Sequence, residues 1–114
     1  MITKDGRELL KQHIIDTFEY FEVGTGGDST NPNASALDSP LGSRGSVTNI
    51  SAGDTSIDFT FTLQGSAFPG QTIKEVGIFS ASSGGTMLIR VNYDGIGPLT
   101  STQEIEFIIT VEVD

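Results

Sequence analysis

The chain has 114 residues, 36% of them hydrophobic, with 15 acidic and 6 basic side chains, a formal net charge of -9 and no cysteine. Such a length suits one domain around one modest core, and without cysteine there is no disulfide, thiolate nucleophile or thiolate metal ligand. The cations Lys4, Arg7, Lys11, Arg44, Lys74 and Arg90 form no stripe, which argues against nucleic-acid binding through phosphate neutralisation.

An acidic, lysine-poor surface suits high salt, where screening removes self-repulsion; keeping an ordinary protein soluble accounts for it equally well. No apolar stretch reaches the roughly 20 residues that span a bilayer. Nor does a charged region at the start lead into a long apolar segment. Neither membrane insertion nor a secretory signal is therefore expected.

Residues 3–18 are predicted as a helix. Thr3 can cap the first turn, although Gly6 stands where the Glu of a capping box belongs. Leu10, Ile14, Phe18 and Phe21 recur at helical spacing, with Leu9 and Ile15 widening the stripe, so that face is expected to pack on a sheet. Asp5 and Glu8 complement the helix dipole; Asp16 and Glu19 do not. The polar side is too poor in Lys and Arg for a membrane-surface helix. His13, the single histidine, lies beside the stripe with no cysteine or second histidine to share a zinc ion.

A short strand is expected before residue 24, followed by a long polar connection over about 24–45. Its glycine-rich start lacks the lysine and spacing of a phosphate loop. It either lies across the sheet as an ordered strap or becomes ordered on a partner. Asp28, Asn31, Asn33 and Asp38 are hard oxygen ligands compatible with calcium, though their spacing is not that of an EF-hand. No other cofactor is indicated.

The region from about 46 to 114 reads as β structure, with strands at 47–50, 55–64, 72–79, 86–93 and 102–113. Ile57, Phe59, Phe61 and Leu63 alternate with polar residues, as do Ile105, Phe107, Ile109, Val111 and Val113, so each run buries one side of a strand. Glu104, Glu106 and Glu112 then lie on a solvated side, where regular acids discourage uncontrolled edge pairing. Broken alternation at Val76, Gly77 and Ile78 predicts a bulge or burial on both sides. Asp54 and Asp58 straddle a turn and a strand without a predicted catalytic geometry. The fold class is mainly β with an N-terminal α-helix, a small antiparallel β-sandwich or barrel in one domain.

Several segments resemble small tail-associated virion proteins of tailed bacterial and archaeal viruses, in the tail-collar-fibre or baseplate-accessory group. They are Met1 to Gly6 before the helix, Val23-Gly24-Thr25-Gly26 with Pro32 and Leu37 downstream, Ile73-Lys74-Glu75-Val76-Gly77-Ile78-Phe79, and Gly85-Thr86-Met87-Leu88-Ile89-Arg90-Val91. The strand motif at 73–79 is the most distinctive, and the likeness spans nearly the whole chain. The resemblance implies a non-enzymatic structural subunit of the virion, in its tail region, assembled in the host cytoplasm with copies of itself and other virion proteins. A head decoration, turret or connector protein is one alternative. A module binding a host receptor or glycan at a fibre tip, using Tyr20, Tyr93 and polar loops, is another; a small Asp- or Glu-based hydrolase is the least supported. The interface is expected first in the 24–45 connection, then at 80–86 and 94–101, with Leu37, Leu41 and Phe68 as its apolar contacts.

Overall fold

The computed structural model describes residues 1–27 and 32–113. It is mainly β, with 47% strand, one N-terminal helix and two packed antiparallel sheets. The elements run α1 (Lys4–Thr17), β1 (Tyr20–Gly24), β2 (Pro40–Ser46), β3 (Asn49–Ala52), β4 (Ser56–Gln64), a 3-10 turn (Gly65–Ala67), β5 (Ile73–Phe79), β6 (Met87–Ile96) and β7 (Glu104–Glu112). One sheet has the order β2-β1-β5-β6 and the other β3-β4-β7. No described helix is long and apolar enough to cross a membrane.

The helix starts where the sequence places its cap. Thr3 Oγ1 accepts from the Gly6 amide at 3.1 Å and Thr3 O from the Arg7 amide at 2.9 Å, satisfying two donors of the first turn. It is rotated from the expected register. Phe18 is buried and Ile14 and Ile15 pack on the core, but Leu9 and Leu10 face away, 76% and 47% exposed. The inward position among them belongs to Lys11, only 4% exposed. Its ammonium donates to Gly53 O at 2.6 Å and Asp54 O at 3.0 Å and pairs with Glu8 at 3.0 Å. The helix is thereby clamped to the β3–β4 turn. Three oxygen partners satisfy a charge that burial alone would penalise.

The two alternating runs meet in register: Ile57 lies opposite Val111, Phe59 opposite Ile109, Phe61 opposite Phe107 and Leu63 opposite Ile105. Their inner side chains form the floor of the core. An aromatic chain joins it to the other sheet. Phe21 of β1 stacks on Phe61 with centroids 4.0 Å apart, Phe61 stacks on Phe107 at 5.1 Å, and Tyr93 of β6 meets Phe107 edge-on at 6.0 Å. Each such pair contributes about 0.5–1.5 kcal/mol beyond the burial of its area.

The end of the expected 24–45 connection is strand β2. Pro, Gly, Ser and Arg at 40–46 have little intrinsic strand preference, but the outer edge of β1 supplies a row of partners, from Tyr20 opposite Ser46 to Gly24 opposite Pro40. Gly45 lies opposite Phe21, and a Cβ there would come within 2.6 Å of the Phe21 ring. Just beyond β2 the chain changes sheet: the Val47 amide bonds Glu19 O at 2.8 Å, and the Thr48 amide bonds Thr60 O at 2.8 Å.

Candidate assembly surface

The four-stranded sheet is covered on both sides, which explains the unbroken burial at the end of β5. Val76 and Ile78 enter the core between the sheets, while Glu75, Gly77 and Phe79 alternate onto the opposite side, all buried. A register irregularity between Ile73 and Glu75 lets Ile73 join the core although it is two residues from Glu75. The cover on that outer side is the segment joining β1 to β2. Its described part lies as a strap over β5, the first of the two arrangements expected.

Glu75 anchors the strap. Its side chain is 0% exposed, and its carboxylate accepts backbone N–H bonds from Gly26 at 2.7 Å, Asp38 at 2.8 Å and Ser39 at 2.8 Å. These three donors offset the desolvation of a buried carboxylate. Gly24 lies opposite Glu75 in the β1–β5 ladder, and a Cβ there would come within 2.6 Å of Glu75 Oε2; one on Gly26 would overlap the same oxygen. The Gly-Thr-Gly turn is therefore spaced to bring the chain past a glutamate that lies about 50 residues downstream in sequence.

Further contacts hold the strap down. Leu37 sits on Gly77, where a Cβ would come within 3.0 Å of its Cδ2 and 2.7 Å of the Phe79 ring. Arg90 donates to Ala36 O at 3.2 Å and lies 3.4 Å from Asp38 Oδ1. Asn92 Nδ2 bonds Gly27 O. Beside the strap, Arg44 of β2 spreads over the Phe79 ring, lies 3.4 Å from Glu22, and donates to Ala81 O at 2.9 Å and Gly84 O at 2.7 Å.

The expected interface residues are thus engaged within the chain. Leu37 is 6% exposed, and Leu41 and Phe68 are half-buried against the core. Leu99, in the 94–101 region, is 2% exposed, with its amide bonded to Gln71 O at 2.9 Å. Of the calcium candidates, Asp28 and Asn31 lie outside the described residues, Asn33 is exposed in a turn, and Asp38 faces Arg90. Among the described residues no group of three or more His, Asp or Glu side chains is placed to hold a metal ion. His13 is exposed on α1, and Asp58 accepts a 2.7 Å bond from the Thr110 hydroxyl. Burial raises the phenol pKa of Tyr93 above 10.0. Its ring is committed to Phe107.

The outer side of the three-stranded sheet is open. It presents Asp58, Thr60, Thr62, Glu104, Glu106, Thr110 and Glu112, with Ile108 among them at 59% exposure. The sequence carries no Lys or Arg between Arg44 and Lys74 or after Arg90, so this sheet contains no cation. The other large exposed apolar side chains among the described residues are Met1, Ile2, Leu9 and Leu10, all on or just before α1. Sequence reasoning missed these surfaces because the helical spacing of Leu9 and Leu10 reads as core, and Ile108 is one of two adjacent isoleucines facing opposite ways. No protein-family model matches the chain, and no curated protein does.

Proposed function

We propose that the chain is a non-enzymatic structural subunit of a tailed-virus particle, a tail, collar, fibre or baseplate part repeated through symmetric contacts. The observation that supports this most is the meeting of two of the resembling segments. The Val23-Gly24-Thr25-Gly26 turn and the Ile73 to Phe79 strand are one device, because Glu75 of the strand receives the Gly26 amide and the turn's glycines leave room for its carboxylate. The two resembling segments thus act together in this chain, fixing a long connection to a sheet. A small sandwich that keeps apolar side chains outside its own core also suits a part whose remaining surface is covered by neighbours.

The test is the composition of the particle. Tailed particles from the source that encodes this chain would be separated into heads and tails, and each fraction quantified by mass spectrometry. Several copies per tail are expected. A chain present in infected cells and absent from both fractions would refute the reading, and recovery with heads alone would move it to a decoration or connector protein.

A further inference from the structure

We infer that the groove between the start of α1 and the β3–β4 turn binds a carboxylate on Arg7 and Lys4, a site that goes beyond the assembly reading above and does not rest on it. The groove has a volume of about 350 Å³ and is lined by Lys4, Arg7, Glu8, Asp54 and Thr55. Among the described residues, Arg7 Nε is the one buried side-chain nitrogen or oxygen without a hydrogen-bond partner. Buried charge elsewhere in the chain is fully met: Lys11 has three oxygen partners and Glu75 three amide donors. A charged donor left unmatched out of reach of water costs free energy, which an acceptor in the groove restores.

The helix also gathers its cations on this side. Lys4, Arg7 and Lys11 fall within about 60° of one another around a helix that turns about 100° per residue. Like charges one turn apart repel, so the arrangement needs anions to offset it. Lys11 has Glu8 and the turn carbonyls. Among the described residues Lys4 and Arg7 form no ion pair, although the chain carries 15 acidic side chains against 6 basic ones. Lys74 is likewise unpaired, but it is exposed and lies on the other sheet.

Charge and shape select the ligand. Glu8 and Lys11 cancel, so Lys4, Arg7 and Asp54 leave one net positive charge at the groove. That balance suits a monoanion, whereas a phosphate dianion would leave excess negative charge beside Asp54. A guanidinium presents Nε and a terminal nitrogen as a fork that takes both oxygens of one carboxylate, which gives the buried Nε its acceptor. The Lys4 ammonium and the Thr55 hydroxyl are further donors on the walls. The volume also admits the group that carries the carboxylate, either a free organic acid or an acidic side chain of a partner protein.

The test is an NMR titration of the full isotope-labelled chain at constant ionic strength, read at Arg7 Nε–H and at the Thr55 amide. The probes are acetate, glutamate blocked at both ends, inorganic phosphate and chloride. Acetate and blocked glutamate are expected to move the Nε–H proton downfield in a saturable way, with phosphate binding more weakly than either. Tighter binding of blocked glutamate than of acetate assigns the site to a partner's side chain; no gain over acetate assigns it to a free acid. Arg7→Gln should abolish the response at Thr55 in a protein whose melting shows it folded, and Asp54→Asn should tighten acetate binding about threefold. The absence of a saturable shift up to about 100 mM of either carboxylate overturns the inference, as does a shift that chloride reproduces. Phosphate binding more tightly than both carboxylates also overturns it. So does a ligand-free Nε–H that moves upfield and exchanges faster in Asp54→Asn, because Arg7 would then already have its acceptor within the chain.

Discussion

Arg44 holds its guanidinium carbon 3.6 Å from the centroid of the Phe79 ring, so one side chain of an edge strand roofs a fully buried aromatic of a central one. The same group reaches Glu22 and two carbonyls of the β5–β6 connection, tying together β1, β2, β5 and that turn. A planar fork can stack and donate in its own plane at once; an ammonium cannot. Arg44→Lys is therefore expected to lower stability by about 1–2 kcal/mol, and Arg44→Met by a similar amount although it keeps the apolar stem. Urea unfolding of the three proteins checks this, and a lysine variant as stable as wild type would show the stacking to be incidental.

Glu75→Gln tests the anchor of the strap. The amide keeps one acceptor oxygen and presents an NH2 group where the second carboxylate oxygen now receives the Gly26 and Ser39 amides or the Asp38 amide. At least one buried N–H then faces a donor, for an expected loss of about 2–3 kcal/mol. Amide exchange at Gly26, Asp38 and Ser39 should accelerate more than at Phe59 or Phe61. Uniform acceleration would mean that the strap and the core open as one unit.

Lys11→Met keeps an unbranched stem in the same space and removes the ammonium that serves Gly53 O and Asp54 O. Two carbonyls lose their partner, and the expected cost is about 1–3 kcal/mol. Replacing buried ionic groups by apolar ones is sometimes neutral, which makes the sign informative. A variant at least as stable as wild type would assign Lys11 to orienting the helix, a role that the exposure of Leu10 to a solution probe would report.

Alkaline pH should weaken the fold through Tyr93. Burial raises its folded pKa above 10.0, so above that value the unfolded chain releases the phenol proton while the folded chain retains it. The contribution is fully present below pH 10.0 and is lost as pH rises through the folded value. Tyr93→Phe should flatten the fall in stability between about pH 9 and pH 11, with Tyr20 and the lysines as a common background. Identical pH profiles for the two proteins would contradict this.

Much of the fold was legible because burial on one side of a strand leaves a period of two, which named the inner residues of β4 and β7 correctly. The Thr3 cap was legible because its chemistry is local. Rotation of α1 was hidden: helical spacing identifies a stripe but cannot show that Lys11 finds two carbonyl oxygens in the distant β3–β4 turn, leaving Leu10 outside. Strand β2 was hidden because an edge strand can be ordered by its neighbour's backbone instead of its own side chains. The anchor was half visible. Both segments were noticed as patterns, but the bond from Gly26 to Glu75 crosses a sequence separation of 49 residues, and no local signal reports such a closure.

The placement of the arginines also governs how a protease would see the molecule. Trypsin needs a basic residue in an extended, accessible backbone, and the two arginines beside the strap have side chains only 10% and 6% exposed. While the strap is seated, cleavage is expected at Lys4, whose neighbours are exposed, and not at Lys74, which lies between fully buried Ile73 and Glu75 in a central strand, nor at Arg44 or Arg90. A lifted strap would release Arg90 from Ala36 and Asp38 and leave the partners of Arg44 in place, so the moment at which a cut at Arg90 appears is a clock for strap detachment that requires no label.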